Sequence, residues 1–227
     1  MKGKLYGVGV GPGDPEYLTL KAVRLIKECD IIAIPGKDKE RCTAYEIVKK
    51  GIPQIEEKEI LPIHIPMTKD KQLLEEHYEI GKDRIISMLK KGKNIAFLTL
   101  GDPTVYSTYM YIHSKVLKEG YEGEIISGVT SFCAASARLN QSLVERSESL
   151  HIIPASYGIE DALKLSGTKV LMKSGKQIKE VKEELVKKNI EAMMVENCGM
   201  KNEKIYDDTH SIPNHSGYYS LIIIKEK

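Results

Sequence analysis

Gly7-Val8-Gly9-Val10-Gly11-Pro12-Gly13-Asp14-Pro15-Glu16 ends an apolar run that begins at Leu5, and its reading decides the fold. Glycines at the end of a strand let a small, charged ligand approach bare backbone. The spacing excludes a dinucleotide fingerprint. Counted from Gly7, the third glycine of G-x-G-x-x-G would be Pro12, which has a fixed φ and no N–H to offer a pyrophosphate. Counted from Gly9 it would be Asp14, a carboxylate facing a phosphate. A nicotinamide oxidoreductase is disfavoured on that ground.

Outward from this loop, apolar strands alternate with helical periodicity. Strands are expected at 5–10, 30–35, 59–65 and 94–100, with helices at 19–29, 43–50, 69–91 and 106–119. Such alternation implies a mostly parallel sheet with crossover helices. Gly120–Gly123 breaks the pattern, so a boundary is expected near residue 122, giving domains 1–122 and 123–227. The second half carries strands at 125–127, 151–154, 169–173 and 192–197, and helices at 130–139, 159–165 and 177–188. It closes with strands at 204–206 and 218–225 that leave no room for a helix between them, which predicts a mixed sheet. The fold class is α/β, in two domains.

Composition narrows the function classes. With 34 basic and 32 acidic residues, the chain lacks the charge of a nucleic-acid-coating or membrane-surface protein. No stretch approaches the ~20 apolar residues of a membrane span, and nothing resembles a signal segment. The cysteines Cys29, Cys42, Cys133 and Cys198 are scattered without C-x-x-C spacing, and the six histidines show no H-E-x-x-H. No metal site is expected, and a cytoplasmic location is.

Two further motifs end strands. Gly101-Asp102-Pro103 reads alone as a turn in which Asp102 caps the next helix. At the carboxyl end of a parallel strand it also lies where open α/β sheets bind ligands. Gly128-Val129-Thr130-Ser131 reads alone as a helix start, and its hydroxyls could hold a ligand carboxylate. Met172-Lys173-Ser174-Gly175-Lys176 is not a P-loop, because Val170 stands at the glycine position and Gln177 follows the lysine.

The string from Tyr6 to Thr19 resembles the N-terminal signature of the tetrapyrrole (corrin/porphyrin) methyltransferases. Gly101-Asp102-Pro103, Gly128-Val129-Thr130-Ser131 and Glu196-Asn197-Cys198-Gly199-Met200 follow in that family's order, across essentially the whole chain. Three stretches are similar to the enzymes that methylate carbon 20 of precorrin-2 or cobalt-factor II: Ile65–Asp70, Gly101–Thr108 and Tyr218–Ile223. One departure is plain: some relatives carry Gly-Gly-Asp-Pro, and here Leu100 replaces the first glycine.

The resemblance implies two α/β domains with S-adenosylmethionine (SAM) in the cleft between them, and a homodimer. It implies cofactor contacts at Pro12, Leu100, Gly101, Asp102, Val105, Tyr106, Thr130, Ser131, Met172 and Cys198. No essential catalytic residue is assigned, though Asp102 and Tyr106 are candidates. The implied substrate is a flat macrocycle rimmed with carboxylates, for which Lys37, Lys39, Arg41, Arg138 and Lys173 are candidate clamps. Alternatives are a sister enzyme acting on another ring carbon or another substrate, and a non-catalytic tetrapyrrole-binding protein. Transfer from a sulfonium needs no protein nucleophile, and positioning alone is worth up to ~7–11 kcal/mol in ideal cases.

Overall fold

The computed structural model describes residues 2–154 and 159–226. They form two compact units, Met1–Thr130 and Ser131–Lys227.

The first unit contains β1 (Leu5–Gly9), α1 (Leu20–Glu28), β2 (Ile31–Pro35), α2 (Thr43–Gly51) and β3 (Glu59–Ile63). It continues with α3 (Lys71–Lys90), β4 (Ile95–Thr99), α4 (Tyr109–Lys118) and β5 (Gly123–Ile126). The five strands are all parallel, in the order β3-β2-β4-β1-β5. Helix starts are written locally. The Thr19 hydroxyl accepts the Ala22 amide at 3.1 Å, and the Asp70 carboxylate accepts the amides of Gln72 and Leu73 at 2.9 and 3.1 Å.

Alternation along the strands divides the core into two layers. Val8, Val10, Ile32 and Ile34 pack with Leu25 and Ile26 of α1 and Ile47 and Val48 of α2. Leu5, Ile31, Ala33 and Phe97 pack on the opposite face with Ile85 and Leu89 of α3 and Tyr109 and Ile112 of α4. The chain therefore leaves β1 toward one face and leaves its neighbour β4 toward the other. A crevice opens where adjacent strands part in this way, at their carboxyl ends.

The second unit contains α5 (Ser131–Arg138), β6 (Leu150–Pro154), β7 (Thr168–Met172), α6 (Ile178–Lys187), β8 (Met193–Glu196), β9 (Lys204–Tyr206) and β10 (Ser220–Ile224). Its sheet order is β6-β7-β10-β8-β9, with β6 and β7 parallel and the remaining pairs antiparallel. The expected mixed sheet is present. Leu171, Ile178, Val181, Leu185, Met194 and Ile222 form its core.

Three expectations are corrected. The division falls after Thr130, not near residue 122, because β5 pairs with β1 from Leu5↔Gly123 to Val8↔Ile126 and belongs to the first sheet. The helix expected from 106 begins at Tyr109, since Tyr106 has a φ of 49° that no right-handed helix accepts. The helix expected at 159–165 is only a 3-10 turn, Ala162–Lys164.

Candidate functional site

Three loops leave the carboxyl ends of β1, β4 and β5, and their glycines interlock. Gly11 and Gly101 form an antiparallel bridge, Gly101 donating to the Gly11 carbonyl at 2.8 Å and Gly11 to the Gly101 carbonyl at 3.3 Å. A Cβ on Gly128 would lie 2.2 Å from the Gly101 oxygen, and one on Gly9 would lie 2.6 Å from the Gly128 nitrogen. Those two glycines are required by backbone packing. Gly101 differs: it has a φ of 69°, and the nearest atom to a Cβ there is the Val129 oxygen at 4.0 Å. Its open side makes a shelf that bulk would fill.

Asp102 holds the shelf together. It is buried; one carboxylate oxygen accepts the Thr104 amide at 2.8 Å and hydroxyl at 2.6 Å, and the other accepts the Gly128 amide at 3.0 Å. Burial pushes its carboxyl up, but the bonds from Thr104, Gly128 and the Ser127 side chain outweigh that and hold it below the ordinary carboxylate range. Asp102 is thus a committed anion that ties β4 to β5. The motif is the turn its sequence suggested, with the Val105 amide donating to the Asp102 carbonyl at 3.2 Å, but Asp102 does not cap α4, whose N-cap is Thr108.

Around the shelf, Pro12 is buried, Leu100 and Val105 are half-buried and Tyr106 is 49% exposed on the loop before α4. The buried hydroxyls of Thr99 and Thr130 have no partner among the described residues. Thr99 was missed by sequence reasoning: a threonine at the end of an apolar strand carries no distinguishing signal. Such orphaned donors are costly unless something meets them. Unpartnered hydroxyls and an open glycine shelf fit the polar amino-acid end of a small cofactor.

The loop after β2 lies at the same end of this sheet and carries Lys37, Lys39 and Arg41. Lys37 and Arg41 are exposed, with no ion pair among the described residues. Lys39 sits with its ammonium 5.8 Å from the Tyr45 ring centroid. Nearby, burial and then the Lys37 charge push the His64 imidazole down.

In the second unit, Met172 and Lys173 end β7, and Cys198 follows β8; β10 lies between those two strands. Lys173 and Asn197 have φ of 58° and 54°, so both strands end in left-handed turns. Burial depresses the Lys173 ammonium. The Glu196 carboxylate accepts the Gly217 amide at 2.7 Å, and the Asn197 amide donates to the Tyr219 carbonyl at 2.9 Å, fixing this end of the sheet. Ser131 opens α5. Arg138, at the far end of α5, is gathered with none of these: its guanidinium is held by Glu203 at 2.8 and 2.5 Å. The pair lies at the surface, with the Arg138 side chain 51% exposed.

Residues 4–212 match the family described as Tetrapyrrole (Corrin/Porphyrin) Methylases. A Methanocaldococcus jannaschii protein named "Probable cobalt-precorrin-2 C(20)-methyltransferase" is 35% identical, over 98% of this chain and 96% of its own length. A Sinorhizobium precorrin-2 C(20)-methyltransferase is 28% identical, over 98% of this chain and 95% of its own. Among solved structures, the Thermus thermophilus uroporphyrin-III C-methyltransferase complexed with S-adenosylhomocysteine superposes with a TM-score of 0.72 at 21% identity. That match covers 99% of this chain and 98% of the Thermus chain, and it shows a shared fold.

Proposed function

Because the chain belongs to the tetrapyrrole (corrin/porphyrin) methylase family, we propose that it transfers a methyl group from SAM to carbon 20 of a precorrin-2-type macrocycle in cobalamin biosynthesis. The observation that carries this reading is the full-length 35% identity to a relative named for that reaction. The cobalt-containing ring is the form favoured here, on the 35% identity to a relative named for cobalt-precorrin-2; relatives named for either form also match at 28%.

SAM, when bound, supplies a methyl group activated by its sulfonium. The backbone of Gly101 and Asp102, with Pro12, Leu100 and Val105, would form the surface beneath it, and the Thr130 hydroxyl would take its amino-acid end. Ser131, Met172 and Cys198 complete the proposed contacts. Asp102 is unsuited to be a base, because both its oxygens are already engaged. The electron-rich ring provides the nucleophile, and a proton lost afterwards can pass to water. Tyr106 would orient the ring, while Lys37, Lys39, Arg41 and Lys173 would meet its carboxylates. A homodimer working in the cytoplasm is part of the same reading. The four cysteines, none of them in a disulfide, suit a reducing compartment.

The test is transfer from carbon-13 methyl-labelled SAM to cobalt-factor II and, separately, to precorrin-2, with mass spectrometry and NMR to locate the label. One methyl on carbon 20 is expected, with faster turnover of the cobalt ring. A label on another ring carbon would overturn the position while keeping the family, and binding without transfer would make the chain a carrier.

A further inference from the structure

A pocket lies in the second unit, at the opposite end of β7 from Met172. It has a volume of about 450 Å³, within the range of small-molecule sites, and its wall includes Ser166, Lys169, Asn189 and Ile190. Lys169 is the second residue of β7, opposite Ile224 of β10. The residue is 6% exposed, a rare condition for lysine.

The other charges in the wall are accounted for. Lys164 pairs with Asp161 at 2.7 Å, and Lys225 stands 3.6 Å from Glu145. The Glu226 carboxylate accepts the Gly167 amide, and Glu191 is exposed to water. The carboxylate whose acidity feels Lys169, Glu148, is already engaged by the Thr168 hydroxyl at 2.9 Å. The Lys169 ammonium makes no hydrogen bond or ion pair among the described residues. Lysine buried along its stem normally carries its head to water or to a counter-charge. Here Lys169 lines the pocket, and its ammonium meets water rather than a counter-charge.

We propose that this pocket binds a small oxyanion, a carboxylate or a phosphate, through Lys169, at a site separate from the glycine shelf. The Ser166 hydroxyl and the Asn189 amide supply further donors in the same wall. Leu163, Leu165 and Ile190 offer apolar area for the body of a metabolite carrying that group.

The full-length protein would be titrated with inorganic phosphate and, separately, with acetate at constant ionic strength. Amide NMR and thermal unfolding would be the readouts. Saturating binding by either anion is expected to shift the amides of Ser166, Gly167, Asn189 and Ile190. At a tenfold excess over Kd it should raise Tm by about 3–5 °C. Lys169→Met should lose both effects, and Lys169→Arg should keep them; Lys169→Gln serves if the methionine variant does not fold. Response to only one anion names the oxyanion. Failure of both anions to shift these amides, shifts confined to residues 9–13 and 101–104, or an undiminished response in Lys169→Met would overturn the proposal. None of these outcomes bears on methyl transfer, which rests on the first unit's shelf.

Discussion

The Asp102 carboxylate accepts the Gly128 amide at 3.0 Å, so the residue that ends the second glycine loop also pins the third. The same side chain holds its own turn through Thr104. This makes Asp102 a positioning residue whose charge matters to folding before it matters to chemistry. Asp102→Asn should cost about 1–3 kcal/mol, because an amide nitrogen would face a donor it cannot accept from. Methyl transfer should slow by roughly 10- to 100-fold rather than the ~10⁴ expected of an essential acid–base group. The carboxyl binds its proton more weakly folded than unfolded, so its contribution is present above the ordinary value of 3.8 and is lost as pH falls through the lower folded value. Urea unfolding from pH 6 to 3 should therefore fall less steeply in the variant. A steeper fall than in the parent protein would contradict this assignment.

Gly101→Ala tests the shelf. A left-handed alanine costs about 1–2 kcal/mol, and its methyl projects where only the Val129 oxygen lies within reach, at 4.0 Å. Calorimetry should show SAM affinity reduced at least tenfold with a modest loss of Tm. Gly128→Ala makes a different comparison, because its Cβ would meet the Gly101 oxygen at 2.2 Å and should disrupt folding itself. Unaltered SAM affinity in a folded Gly101→Ala would remove the cofactor from this surface.

Neutralising Lys37, Lys39 and Arg41 together as glutamines should raise KM for the macrocycle and flatten its salt dependence, leaving SAM binding as it was. Steady-state kinetics across a salt series give the answer. Kinetics matching the parent protein at low salt would show an ordinary solvated loop.

His113 predicts a second pH effect, on stability alone. Its Nδ1 lies 2.8 Å from the Tyr109 hydroxyl, and burial pushes its imidazole below the ordinary 6.5. The unfolded chain thus takes up the proton first as pH falls. The stability is whole above about pH 7 and declines from there toward the folded value. His113→Gln should show a smaller change in urea midpoint between pH 7.5 and 5.5. Equal slopes would mean that the ring titrates normally.

Most of the elements, and their order, were legible along the chain, though 159–165 folds only as a 3-10 turn. Apolar periodicity placed the strands and the long helices of the first unit, and the helix-free tail after residue 197 required an antiparallel edge. Strand-end glycines marked where a ligand could approach backbone. These features are local, set by φ restrictions and by the periods of strand and helix. Tertiary structure decided what each glycine is for. Gly7 is bare because a Cβ would lie 2.0 Å from the Tyr109 ring, Gly9 and Gly128 because three loops converge, while Gly101 in the same cluster faces open space. It also gave β5 to the first sheet, engaged Arg138 with Glu203, left the Thr99 and Thr130 hydroxyls without partners among the described residues and buried Lys169. Each depends on groups distant in the chain meeting in space, as Asp102 meets Gly128, and spacing along one sequence holds no record of such contacts.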